Sequence, residues 1–141
     1  MHYPEELLFS EEHLWVLVKG DTATIGISEY ASEELDGILA VDLPQVGDTI
    51  DQGEPIGTLE SSKTVSDLYA PISGEVIEVN SDVLEDPAII NECPYDDGWL
   101  IKIKIIDEEE LSSLMTNIKY DEYIEEESDD LDDYDDEDEE L

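Results

Sequence analysis

The amino-acid sequence predicts a mainly β fold, a sandwich or barrel of antiparallel sheets. Three observations carry this expectation. Short runs rich in Val, Ile and Thr recur between turns that contain Gly and Pro, which is the spacing of strands in an all-β domain. Two stretches resemble each other, Gly37-Ile38-Leu39-Ala40-Val41 and Gly74-Glu75-Val76-Ile77-Glu78-Val79. Each is followed by an Asp-led loop and a proline, Asp48 to Pro55 and Asp82 to Pro87, so two similar halves are expected. The apolar period changes from two to 3.6 only after Ile106, which confines most of the helix to the end of the chain.

The elements follow in order. Leu14 to Val18 is a short apolar strand that ends at the turn Lys19-Gly20-Asp21, and Thr22 to Ile27 completes a hairpin. Ser28 suits the N-cap of a short helix, Ile27, Ala31 and Leu35 are spaced by four, and Gly37 suits the helix end. Ile38 to Leu43 is a third strand. Turns are expected at Pro44 to Asp48 and at Gln52 to Pro55. Ile56 to Glu60 and Val65 to Ala70 read as a strand and its return, closed by Pro71 and Ser73-Gly74. Glu75 to Asn80 reads as an alternating strand, and the stretch from there through Asp86-Pro87 and Cys93-Pro94 to Gly98 as a loop. Trp99 to Ile106 is the final strand, with Lys102 and Lys104 on one face. Leu111, Leu114, Met115 and Ile118 form a helical stripe, with Asp107 to Glu110 at the end where the helix dipole favours negative charge. Tyr120, Tyr123 and Ile124 continue that helix or form a second short one. Trp15 and Trp99 are expected to anchor the core.

The charge excludes whole classes of partner. The 141 residues carry 42 acidic side chains, five lysines and no arginine, for a net charge of −37. Such a surface repels nucleic acid phosphates and anionic membranes and favours partners with basic surfaces. Ten of the 42 acidic residues fall in 128–141, which has too little apolar content to pack. A domain over 1–127 and a disordered acidic tail over 128–141 are expected. The single cysteine, Cys93, excludes an intramolecular disulfide and a cysteine metal cluster. No apolar run is long enough for a membrane span, and the N-terminus lacks the pattern of a signal or transit peptide, so a cytoplasmic protein is expected.

One residue stands apart. Between Gly20 and Ile101 the only Lys is Lys63, set among Glu60, Ser61, Ser62, Thr64, Ser66 and Asp67 with apolar strands on both sides. An amine on a four-carbon stem at a hairpin tip is accessible to a modifying enzyme and extends the reach of whatever it carries. On composition alone a solvated surface lysine stays the favoured reading.

The segment Glu60-Ser61-Ser62-Lys63-Thr64-Val65-Ser66-Asp67-Leu68-Tyr69-Ala70-Pro71 resembles the lipoylation motif of the glycine cleavage system H protein family. Gly26 to Ala31, Val41 to Gly47, Ser73 to Asn80 and Pro94 to Ile103 are similar to other blocks of that family, and the similarity runs over roughly residues 10 to 127. The tail from Ser128 is an addition. The resemblance implies a barrel-sandwich hybrid of antiparallel sheets with a short internal helix and a C-terminal helix or helices, and a lipoate joined covalently to Lys63. It implies a non-catalytic carrier. The lipoamide takes an aminomethyl group from glycine decarboxylase (P protein) and presents it to the aminomethyltransferase (T protein). Dihydrolipoamide dehydrogenase (L protein) then reoxidises the arm. Attachment implies a further partner, a lipoyl or octanoyl transferase or a lipoate ligase. The chemistry belongs to the cofactor, which the protein positions and shelters.

The resemblance also assigns a cleft for the arm and its cargo, with Asp67 and His13 matching the family. Leu14 departs from it, standing where the family has a Glu of that cleft. Glu12 is the nearest carboxylate in sequence, and on a strand it would face differently. Ser62 and Thr64 replace the usual Val and Ala beside the lysine. Biotin is disfavoured because Ser62 and Thr64, not Met, flank Lys63, and phosphopantetheine needs a serine at a helix start. Two other readings stay open: an H-protein-like carrier for sulfur-compound oxidation or lipoyl relay to 2-oxoacid dehydrogenases, and an acidic interaction module with Lys63 unmodified.

Overall fold

Alternation along β2 and β3 decides which surfaces meet. The computed structural model describes residues 7–35, 37–62, 64–95 and 97–124. Strands β1 (Leu8–Phe9), β2 (Leu14–Lys19) and β3 (Thr22–Ile27) are followed by helix α1 (Glu29–Glu34). β2 and β3 pair antiparallel from Leu14↔Ile27 to Lys19↔Thr22. Leu14, Val16, Ile25 and Ile27 all enter the main core, while Trp15 enters a second, aromatic cluster. The β2 strand is therefore buried on both faces at its start, which is why it reads as a continuous apolar run. Gly26 lies across from Trp15, and a side chain there would meet the indole ring at 2.6 Å. The ring thus covers the bare glycine.

The remaining strands are β4 (Ile38–Asp42), β5 (Thr49–Ile50), β6 (Pro55–Ser61), β7 (Val65–Tyr69), β8 (Gly74–Val79) and β9 (Ile101–Ile105). They complete two antiparallel sheets, one in the order β1-β2-β3-β9-β8-β5 and one in the order β4-β6-β7. Neither closes into a barrel. Inward residues of both, among them Ile25, Leu59, Leu68, Ile101 and Ile103, share one core. The sequence repeat has a counterpart here. In the larger sheet β8 pairs antiparallel with β9, and in the smaller one β4 pairs antiparallel with β6, the next long strand in each case. β5 extends the first pair by pairing with β8. In the corresponding place beside β4 lie helices α2 (Ser81–Glu85) and α3 (Ala88–Glu92).

Those two helices correct the expectation of a loop over that stretch. Asn80 caps α2, its Oδ1 accepting from Asp82 N at 3.1 Å while its Nδ2 donates to the carbonyls of Asp97 and Trp99. One buried side chain thereby starts α2 and holds the strand leading to β9. Asn91 performs a similar tie. It accepts from Ile38 N and donates to Ser32 O, joining α3 to β4 and α1.

Three more expectations change. The β8 strand does not alternate strictly, because a register break between Val76 and Glu78 turns Ile77 to solvent. The stripe Leu111, Leu114, Met115 and Ile118 is not one helix. A 3-10 turn spans Glu108–Ser113, Leu114 is extended, and Met115 pairs with Phe9 as a strand would. A short helix α4 follows over 117–124, with Ile118 exposed and Tyr120 fully buried. Tyr120 stacks flat on Phe9 with ring centroids 4.5 Å apart. Trp99 is half-buried, its ring under the Lys102 ammonium at 5.0 Å, so Trp15 alone is the buried anchor. The expected tail over 128–141 lies outside the described residues.

Candidate functional site

The site is built where the smaller sheet meets α1. β6 and β7 form a hairpin with Glu60 paired to Val65. At its end Ser61 N donates to Thr64 O at 2.8 Å, and Thr64 N donates to Ser61 Oγ at 3.3 Å. Ser61 is buried, and the pair closes a turn whose two central positions are 62 and 63. Lys63 itself lies outside the described residues. What the structure gives is its frame, a hairpin whose strands are seated in the core through Leu59 and Leu68.

Beside that hairpin opens a cleft of about 590 Å³. Its walls are largely apolar, from Leu14, Ile27, Leu35, Leu59 and Leu68. Its polar lining comes from three places: Glu12 and His13 before β2, Tyr30 and Glu34 on α1, and Ser66, Asp67 and Tyr69 on β7. All three residues named from the sequence, Glu12, His13 and Asp67, therefore meet in one cleft. Glu12 sits in a turn and not on a strand, so the facing expected of a strand residue does not hold for it. Asp67 is exposed, with Tyr69 Oη at 3.4 Å from its carboxylate. Leu14 is buried on the cleft wall opposite Ile27. At that point the wall is hydrocarbon, and Glu12, Glu34 and Asp67 are the carboxylates of the lining.

His13 is held closely. Its φ of 72° is the only positive value at a non-glycine among the described residues. Its N–H donates to Ser10 O, its carbonyl accepts from Ser28 N, and Leu14 N donates to Ser10 Oγ. The turn so formed aims the ring at Tyr30, 5.0 Å between centroids, and at Tyr120 and Tyr123. Nδ1 lies 2.8 Å from Tyr120 Oη. Tyr30, Glu34 and Tyr120 were not anticipated. The amphipathic spacing of α1 hinted at the first two, while nothing local to residue 120 pointed back to residue 13.

The second tie to α1 runs through Tyr95. Its hydroxyl accepts from Glu29 N at 3.0 Å, and Trp15 Nε1 donates to the neighbouring Pro94 carbonyl at 2.9 Å. Burial pushes the Tyr95 phenol up from 10.0 to about 12, with the nearby Glu29 and Glu33 carboxylates adding to it and the Glu29 backbone bond opposing. The folded state therefore prefers the neutral phenol. This preference is fully present below pH 10.0 and is lost as pH rises towards about 12. Urea midpoints followed across that window are expected to fall more steeply for the wild type than for Tyr95→Phe. Parallel curves would remove Tyr95 from the account. Cys93 is a free thiol at the end of α3.

Comparisons with known proteins agree with one another. The family model described as Glycine cleavage H-protein matches residues 7–127. The glycine cleavage system H protein of Staphylococcus carnosus (strain TM300) is 49% identical over 126 residues, covering 89% of this chain and 100% of that protein. That of Halothermothrix orenii is 47% identical over 126 residues, covering 89% and 98%. Among solved structures, the glycine cleavage system H protein of Mycobacterium marinum superposes with a TM-score of 0.78 at 36% identity, over 86% of this chain and 98% of that one.

Proposed function

We infer the function from one premise: the chain belongs to the glycine cleavage H-protein family. It is a shuttle component of glycine cleavage, and the relatives named for that system favour it over sulfur-compound oxidation or lipoyl relay. Beyond the family, we propose that Lys63 is the lipoyl anchor and that the cleft beside β7 shelters the arm. The observation that carries this reading is the position of the cleft: one wall is β7, the strand that leaves the turn containing residue 63.

The donor set fits the group. A lipoyl chain is a hydrocarbon ending in two sulfurs, and the cleft offers hydrocarbon walls with polar groups at their edge. When attached, the group supplies the disulfide and dithiol chemistry of the shuttle. The chain's own residues do the rest. Leu14, Ile27, Leu59 and Leu68 exclude water from the cleft wall, which slows side reactions of a reactive cargo. Glu12, Glu34 and Asp67 place negative charge where a cationic amine of the cargo would rest. The chain is a carrier without a full reaction of its own. Its partners are glycine decarboxylase, the aminomethyltransferase, dihydrolipoamide dehydrogenase and the enzyme that attaches the lipoyl group. All of them would dock through basic surfaces on a chain of net charge −37. Among the described residues no helix is long and apolar enough to cross a membrane. We place the protein in the cytoplasm with the domain over 1–127 and the acidic segment 128–141 as an appendage.

Lipoylated protein added to a glycine decarboxylase is expected to support exchange of the glycine carboxyl with carbon dioxide, and the unlipoylated form is not. Full lipoylation without exchange would overturn the assignment.

A further inference from the structure

The outer face of the larger sheet carries a stripe of lysines on a strongly acidic chain. The strands present it in register. One row across β2, β3, β9 and β8 is Leu17, Thr24, Lys102 and Glu78, and the next is Lys19, Thr22, Lys104 and Glu75. The alternate residues, Val16, Ile25, Ile103 and Val76 among them, enter the core, so both rows face away from it. Three of the five lysines, Lys19, Lys102 and Lys104, thus share one face. Thr22 and Thr24 make a low floor between β2 and β9, and Lys19 and Lys104 stand about 10 Å apart across it. Lys102 has Glu78 at 3.7 Å and the Trp99 ring beneath it. Lys19 and Lys104 are exposed and form no ion pair among the described residues.

The helix α4 ends on that same face. Ile124 packs in the aromatic cluster with Trp15, and Leu17 borders the cluster. Trp15, Leu17 and Lys19 alternate along one face of β2, so the cluster runs on into the stripe. After Ile124 come Glu125, Glu126 and Glu127 and then the ten acidic residues of 128–141, with no lysine among them. At about 3.3 Å per residue this segment can span tens of ångströms. From Leu17 to Lys19 is about 7 Å along the strand. Two directions are open from the end of α4. One leads to the mouth of the cleft, since Tyr123 Oη bonds Glu11 O beside Glu12. There Glu12, Glu34 and Asp67 repel an acidic segment. The other leads to the lysines.

We propose that residues 125–141 fold back within their own chain and dock along Lys19, Lys102 and Lys104. The contacts are carboxylate on ammonium at a solvated surface. Each is weak, several act together, and all are sensitive to salt. The two sheets share one core through their inner faces, so the outer face of the larger sheet lies away from the hairpin that carries residue 63. Docking there keeps the acidic segment off the cleft and leaves it open to the arm. That benefit rests on the arm-cleft reading above. The docking does not.

The test is paramagnetic broadening in the full chain. With Cys93→Ser removing the native thiol, Tyr134→Cys carries a nitroxide, and amide signals are compared before and after the nitroxide is reduced. The amides of Lys19, Thr22, Lys102 and Lys104 are expected to lose most of their intensity, while those of Glu34 and Asp67 keep theirs. Salt at about 1 M, where the screening length is about 3 Å, is expected to restore the first set. Lys19→Gln combined with Lys104→Gln is expected to do the same at low salt. Broadening centred on Glu12, Glu34 and Asp67, no broadening, or broadening that survives both salt and the lysine changes overturns the proposal. A mixture of spin-labelled chain with nitrogen-15 chain lacking the label tests for a second copy. Silence in the mixture supports docking within one chain, and broadening equal to that of the single chain gives the face to a neighbour's segment and overturns it. If Cys93→Ser unsettles the fold, carbodiimide coupling of the wild-type chain reads the same contact. An amide bond from Lys19, Lys102 or Lys104 to an acidic residue of 125–141, with loss of one water, is expected at low salt, and its absence overturns the proposal.

Discussion

Lys63→Arg is expected to abolish lipoyl attachment outright while leaving the fold unchanged. Arginine keeps the positive charge and most of the length, so electrostatics in the turn are preserved. It lacks a nucleophilic amine, because the guanidinium stays protonated at any working pH. The turn is closed by the Ser61–Thr64 backbone pair, and its strands are seated in the core by Leu59 and Leu68. With charge and length kept, the change in stability is expected to stay within about 0.5 kcal/mol. Intact-mass spectrometry after incubation with a lipoylating enzyme reads the first effect, and exchange with a glycine decarboxylase reads the second. Mass addition to the arginine variant would move the anchor to another lysine among Lys19, Lys102, Lys104 and Lys119 and remove the basis of the site.

The legible parts of this molecule are those decided locally. Lys19-Gly20-Asp21 between an apolar run and a β-branched run reads as a hairpin turn, and the register Lys19↔Thr22 agrees with it. Ser28 marks the start of α1 because capping depends on a few adjacent atoms, while Gly37, at φ 74°, lies two residues past the Leu35 C-cap. The helices α2 and α3 were missed for a related reason. Each has five residues, too few for a 3.6-residue period to register, although Asn80 ahead of α2 was a readable cap. The stripe at 111–118 failed in the other direction. Its period is real, but Met115 gains a ladder with Phe9 and Tyr120 gains a stack on it, and those tertiary contacts break the helix at Leu114. The site divides in the same way. His13 and Asp67 come from family likeness and Glu12 from its place as the carboxylate nearest Leu14 in sequence, and the structure brings all three together. The Tyr120 link to His13 spans 107 residues, so only packing could reveal it.

Gly57→Ala is expected to be the most damaging small change in the smaller sheet. Gly57 follows Pro55 at a register break in β6, and the end of β4 crosses close over it. A methyl group at this position would fall 2.1 Å from the Asp42 carbonyl oxygen and 3.1 Å from its carbon. Both are backbone atoms, so no rotamer change relieves the contact, and β4 must move from β6. Overpacking of this kind costs typically 1–3 kcal/mol, and a backbone obstacle puts the expectation near the top, about 3 kcal/mol. Gly53 provides the control. It has φ of 85° but open space around it, so Gly53→Ala should cost only the strain of a left-handed residue, about 1 kcal/mol. Urea midpoints compare the two, with slopes unchanged if both variants stay cooperative. Equal losses would mean that β4 yields to the methyl group and that contact does not select glycine at 57. The consequence reaches function because β6 carries the chain to Ser61 and the lysine turn. A β6 strand loosened from β4 should present that turn less rigidly. Slower lipoylation of Gly57→Ala, measured below its unfolding midpoint, is expected even though Lys63 is intact.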